Sequence, residues 1–476
     1  MASSPTHSVA PRWEARTWAL LVVLCGVLFL DGLDVSMVGV ALPSIRSDLG
    51  LSTSQLQWVV SGYVLGYGGL LLLGGRAADM LGRRRVLIAG LSVFVVASAI
   101  GGLVNDGTLL VLTRIVKGMS AAFTAPAGLS IITTTFSEGP NRNRALAIYT
   151  ATGASGFSLG LVLGGLLTEL GWRWTFLLPV PFALAILAVA PRVIPRDVSL
   201  VTGRRRYDIA GAVTITAAML LLVRTVVEAP SEGWGAPITI ASFGVVLALL
   251  GLFVTIERRS AAPLVRLGIF RSAPLVRANL GGALLFGGYF GFQFVATLYL
   301  QAMNGWSAIE TALAFLPAGL LVAFGAPRLG PLVDRYGTAR IIAVGAVSLL
   351  AGYLLWLRVD ATAAYVGLML PTVLLLGIGF ALSFPSLNIQ AVAGVADHEQ
   401  GLASGLLNTS FQIGGAIGLA VVTAVVSSSG GGSLPTLDGV QTAVAVSAGI
   451  AVLGVLVAGS ALIAPVRERV LARAEA

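Results

Sequence analysis

Apolar runs of about 20 residues recur along nearly all of this 476-residue chain, and that is the length a helix needs to cross a hydrocarbon core of about 30 Å. Within a bilayer the backbone must satisfy its own N–H and C=O groups, so such runs predict helices and exclude open sheet edges. Fourteen spans can be drawn, at about 17–40, 55–75, 86–104, 107–131, 145–169, 172–191, 209–228, 237–256, 278–302, 309–329, 341–358, 364–390, 402–427 and 441–464. Composition agrees: 56% of residues are hydrophobic and 11% charged, against roughly a quarter charged in soluble domains. The first run is followed by similar spans and not by a soluble domain, so it reads as a retained helix and not a cleaved signal.

An even number of spans puts both termini on one side, and the arginines identify that side as cytoplasmic. With this orientation 24 of the 30 cations fall in cytoplasmic segments, Arg46, Arg173 and Arg358 lie outside, and Arg114, Lys117 and Arg224 remain within spans. The net charge of +9 is thus scattered between apolar runs and not gathered on one soluble face, which argues against a nucleic-acid partner. The single cysteine, Cys25, allows neither an internal disulfide nor a multi-thiolate metal site. HExxH and P-loop patterns are absent and there is no GxSxG elbow, since the GFSLG match at Gly156 to Gly160 lies within an apolar span and not at a strand-to-helix turn, so neither an enzyme nor an ATP-driven pump is expected, and no cofactor or metal is called for.

A repeat defines the architecture. GRAADMLGRRR (Gly75 to Arg85) aligns without gaps on GPLVDRYGTAR (Gly330 to Arg340), matching glycine, aspartate, glycine and arginine at an offset of 255. The first copy joins spans two and three and the second joins spans ten and eleven, a displacement of eight helices. Two six-helix halves separated by a two-helix insertion produce that displacement. The expected fold is therefore an all-α polytopic membrane protein of 14 helices, with residues 1–192 and 278–476 as halves and 193–277 carrying the insertion. Parallel halves of this kind place a substrate site near the midplane between them.

Against this apolar background the stretch FLDGLDVSMVGVALP stands out, because ionised groups at mid-bilayer cost about 2.5–3.5 kcal/mol each on insertion scales. Asp31 and Asp34 are three apart and so share a helix face, as do Arg114 and Lys117 on span four. If the two faces meet, two negatives oppose two positives. Close carboxylates seldom ionise independently, and such a pair can trade a proton for a cation. Asp31, Asp34, Arg114 and Lys117 are thus the proton-coupling candidates, with pure neutralisation as the plainer alternative; both histidines, His7 and His398, fall outside the spans. Asp34 is also a substrate candidate, together with Tyr63, Tyr67, Phe292, Gln293, Asn408 and Gln412, whose aromatic and sparse polar groups suit an amphipathic ligand. Gly75 and Gly82 flank Asp79 in what reads as a tight cytoplasmic turn. Gly156, Gly160, Gly164 and Gly165 in GFSLGLVLGG allow close helix packing, with a gate as the other reading.

These motifs resemble the major facilitator superfamily, and within it the fourteen-helix drug:proton antiporters. LDVSMVGVALP is similar to that branch's first-helix signature, GGRAADMLGRRR to the superfamily's loop motif, LTRIVKGMSAA to the motif built on a membrane arginine, and GFSLGLVLGG to the antiporter motif. Leu161 stands where that motif usually has proline, and Asp31 is an addition to the first-helix pattern. The resemblance implies proton-driven export of small amphipathic, cationic drugs or antibiotics by alternating access from a bacterial inner membrane. The implied partners are substrate, protons and lipid around a monomer. It also implies a cytoplasmic latch of Gly75, Asp79, Gly82, Arg83 and Arg84, with Asp334 in the second copy. Export of a metabolite, amino acid or self-made antibiotic with different or no proton coupling is the alternative.

Overall fold

The computed structural model describes residues 13–51, 53–136, 140–196, 208–260, 263–325, 328–360, 364–395, 399–428 and 436–474, and is helical throughout its regular structure. The first group of helices is α1 (Ala15–Leu49), α2 (Thr53–Leu81), α3 (Arg83–Gly101), α4 (Gly107–Thr135), α5 (Pro140–Leu170), α6 (Trp174–Leu177) and α7 (Pro179–Val193). Then come α8 (Ile209–Glu232) and α9 (Pro237–Arg259). The last group is α10 (Ala273–Leu298), α11 (Ala308–Gly325), α12 (Gly330–Tyr336), α13 (Thr338–Trp356), α14 (Leu370–Val392), α15 (Gln400–Ser428) and α16 (Leu437–Ala474). Among the described residues 13 helices are long and apolar enough to span a membrane, and 14 spans result when α11 and α12, bent by 71° at their break, are taken together.

The helices run past the hydropathic borders, since lipid contact ends before the hydrogen-bond ladder does. α1 extends through Pro43 to Leu49, and α10 begins at Ala273, five residues ahead of the expected border at 278. The expected turn around Asp79 is corrected in the same way. Arg76 to Leu81 contains no helix breaker, so α2 continues to Leu81 and Gly75 is an ordinary helical residue; the chain turns only at Gly82. Gly82 has φ 99° and its repeat counterpart Gly337 has φ 78°, a region that a Cβ disfavours, and each opens the next helix.

Packing follows the repeat. α1 lies against α5 and α2 against α4; in the other group α10 lies against α15 and α11 against α14. The equivalence extends to the glycine crossings. A Cβ on Gly32 of α1 would sit 2.6 Å from the Gly153 carbonyl oxygen of α5, and one on Gly287, 255 positions later, 2.8 Å from the Gly414 carbonyl oxygen of α15. Without side chains at these crossings the backbones reach van der Waals contact, which supplies the attraction that lipid-solvated helices otherwise lack. The two groups meet along α5–α11 and α2–α15, and α8 packs on α2 and α15 with α9 outside it.

Candidate functional site

α4 presents two faces. Leu109, Leu112, Val116 and Met119 form an exposed apolar stripe, whereas Arg114 and Lys117 on the opposite side are 1% and 0% exposed. Gly118 lets this inner face come close to α2: a Cβ there would lie 2.0 Å from the Tyr63 carbonyl oxygen. The same approach allows Arg114 Nε to donate to the Val59 carbonyl at 2.9 Å, while the guanidinium lies 4.8 Å from the Tyr63 ring centroid. Lys117 Nζ lies over Phe94 and Phe176, at 4.8 and 5.1 Å from their centroids. Both cations are therefore held by α2, α3 and α6 as well as by an acid.

That acid is Asp34 alone. Arg114 Nη1 donates to its Oδ2 and Lys117 Nζ to its Oδ1, and Asp34 is 0% exposed. The acidic face of α1 and the basic face of α4, which the sequence set against each other, meet through one carboxylate that takes both cations. Asp31 is 7% exposed, and its Oδ2 has no hydrogen-bond partner among the described residues. It lies within electrostatic range of Asp34 and Lys117, and of Tyr63, Tyr67 and Tyr149. The Tyr63 hydroxyl is likewise buried and without a partner among the described residues. Tyr149, on α5, was not legible as a member of this group, since only the α1–α5 packing brings it here.

Of the substrate candidates, Tyr63 and Tyr67 stand edge to face at 5.9 Å beside the acids, and Tyr67 shares a side-chain hydrogen bond with Gln412 of α15, so Gln412 is joined to them across the two groups. Asn408 donates to the Ser404 carbonyl of its own helix at 2.9 Å, and Gln293 is half-buried on α10. Phe292 is corrected: it is fully buried in the C-terminal core, 5.3 Å from Tyr353 and 5.1 Å from Trp356 by ring centroids, and faces away from any central site. The aromatic wall is built instead by Phe286, Phe290, Phe380, Phe384 and Phe411, with Phe286 stacked on Phe411 at 4.5 Å. Phe157 of α5 stacks on Phe290 at 6.3 Å and carries this wall to the first group. The repeat held a usable signal: at the same 255 offset Phe286 and Tyr289 correspond to Asp31 and Asp34.

The gating candidates divide. Gly156, Gly160 and Gly164 all face α1, where added Cβ atoms would meet Phe29 O at 2.4 Å, Ser36 Oγ at 2.1 Å and the Met37 Cα at 2.8 Å; Gly165 is buried. They make close packing, and α5 runs unbroken past Leu161, which is buried with Val40 and C-terminal residues. Gly75 lies within α2, Gly82 follows its end at Leu81, Arg83 opens α3, and Arg84 donates to the Pro191 carbonyl at 2.6 Å, a tie to α7 within the same half. Asp334 is exposed on α12. The Asp79 side chain, like His7 and His398, lies outside the described residues.

Residues 24–419 match the family model for the Major Facilitator Superfamily. The chain belongs to that superfamily. As a member of it, the chain is an integral membrane protein. It is 39% identical over 416 residues to the cephamycin export protein CmcT of Amycolatopsis lactamdurans, covering 87% of this chain and 86% of that one. It is 37% identical to the puromycin resistance protein pur8 of Streptomyces alboniger, with 89% and 86% covered, and 32% identical to the lincomycin resistance protein of Streptomyces lincolnensis, with 97% and 94% covered. Among solved structures, the human organic anion transporter MFSD10 superposes with a TM-score of 0.66 over 94% of this chain and 100% of its own, at 18% identity, a likeness of fold. Major Facilitator members are transporters, and the buried charges above sit in the helices that the superfamily model covers.

Proposed function

We propose that this protein exports amphipathic, cationic drugs or antibiotics in exchange for protons, from a bacterial inner membrane with both termini in the cytoplasm. The observation that carries the reading is one locked and one unlocked buried acid. Asp34, Arg114 and Lys117 together carry a formal charge of +1, and an ionised Asp31 brings the group to zero. A proton on Asp31, or a cationic substrate beside it, restores the same +1. Both at once would bring it to +2 in a region of low dielectric, which is strongly disfavoured. Proton and substrate thus exclude each other, and mutual exclusion is the condition for exchange. Relatives named for exporting or resisting cephamycin, puromycin and lincomycin support antibiotics as the cargo.

One charge moving down the membrane potential supplies about 2.3 kcal/mol per 100 mV, enough to drive uphill export when more than one proton is exchanged or a pH gradient adds to it. The test is puromycin uptake into everted vesicles with an imposed pH gradient. Accumulation that collapses with a proton uncoupler is expected. The second reading, export without proton coupling, draws on Leu161 in place of the usual proline in α5; accumulation indifferent to the uncoupler would favour it.

A further inference from the structure

We propose that Asp31 is the charge-selecting residue of the substrate site and that the group it selects is a protonated amine flanked by a hydrogen-bond acceptor. The proposal rests on the export reading above and adds the chemistry of recognition. Asp34 cannot serve, because both its oxygens are engaged by Arg114 and Lys117. A substrate cation there would add a third positive charge beside two that a single carboxylate already has to balance. Asp31 carries no such obligation: it is 7% exposed and its Oδ2 is unpartnered among the described residues.

The second observation is independent. The Tyr63 hydroxyl, on a residue 2% exposed and within electrostatic range of Asp31, is also unpartnered among the described residues. Buried polar groups are normally hydrogen-bonded, and one ligand with a donor beside an acceptor can satisfy two orphans of opposite character in one region. Asp31 offers an acceptor and Tyr63 a donor, since a phenol at neutral pH gives its proton. The complement is an ammonium that donates to the carboxylate, beside an ether, hydroxyl or carbonyl oxygen that accepts from the phenol. Tyr67, joined to Gln412, sits edge to face with Tyr63 and closes the site toward α15. The repeat partner of Asp31 is Phe286, at the centre of the aromatic wall, so the ammonium end and the ring end of such a ligand have separate receptors.

The experiment measures binding of two matched probes, puromycin with its free amine and N-acetylpuromycin without a charge there, to the full-length protein in nanodiscs by intrinsic tryptophan fluorescence. The wild type is expected to prefer puromycin at least tenfold, with the preference falling to about one in Asp31→Asn and recovering in Asp31→Glu. In Tyr63→Phe the preference for the amine should persist while the affinity for both probes drops about threefold to tenfold. A wild type without preference, an Asp31→Asn protein that keeps it, or a preference that Asp31→Glu fails to restore would each overturn the proposal. Binding needs no gradient, so a preserved preference alongside uncoupler-insensitive vesicle transport would refute proton coupling and leave this site standing.

Discussion

The two halves share a backbone plan but have opposite interiors. At corresponding crossings, Gly32 and Gly287 bring α1 to α5 and α10 to α15 equally close. Yet the first half buries Asp31, Asp34, Arg114 and Lys117, whereas the second has Phe286, Tyr289, Met369 and Thr372 at the same offset and gathers Phe380, Phe384 and Phe411 around Phe286. A repeated fold does not oblige repeated chemistry. Glycine crossings are a property of the backbone and persist in both halves, whereas the side chains that face the centre are free to diverge into an ionic wall and an aromatic wall. The amphipathic cation proposed as substrate has an end for each.

The comparison can be strained most severely at Asp34. Asp34→Ala removes the one carboxylate bonded to both buried cations and should cost about 3–5 kcal/mol. A thermal melt in detergent should show a drop of many degrees, with a far smaller one for Asp31→Ala. Equal drops would mean that Asp31 is tied as firmly as Asp34. Next come the crossings. Gly160→Ala places a Cβ 2.6 Å from the Leu33 carbonyl oxygen and Gly418→Ala places one 2.2 Å from that of Gly287. Each should cost about 1–3 kcal/mol by overpacking, and similar losses in the two halves are the expected result. A loss confined to one half would break the equivalence of the crossings.

A gentler change separates the walls. Phe286→Leu keeps an apolar side chain of similar bulk and should cost less than about 1.5 kcal/mol in stability, yet it removes the stacking with Phe411. Affinity for planar aromatic substrates should fall several-fold in a fluorescence titration while the preference for charge stays. The smallest effect belongs to Arg224 and Glu228, paired at 3.0 Å on an exposed face of α8. Removing either should change stability by a few tenths of a kcal/mol, as surface pairs do.

Much of this was legible in the chain itself. Hydropathy marks the spans, the 255-residue offset gives the halves, and the helical spacing of Asp31 with Asp34 and Arg114 with Lys117 brings the right elements together. Which acid takes the cations was not legible, because it depends on how α1 is rotated against α4, a matter set by glycine contacts from α2 and α5. Phe292 misleads for a related reason. It lies two residues beyond Phe290, about 200° around the helix, so one ring faces the centre and the other the core. Arg76 to Leu81 read as a loop because Arg76 and Asp79 interrupt the apolar run between Gly75 and Gly82, although nothing in it breaks a helix before Gly82.

Proton release on substrate binding tests the account most directly. Puromycin added to the purified protein in weakly buffered solution should release protons, stoichiometric with binding, near a pH where Asp31 is protonated in the unliganded carrier. Asp31→Asn should bind the probe weakly and release none. Release from Asp31→Asn equal to that from the wild type would contradict the account, as would binding by the wild type with no release across the accessible pH range.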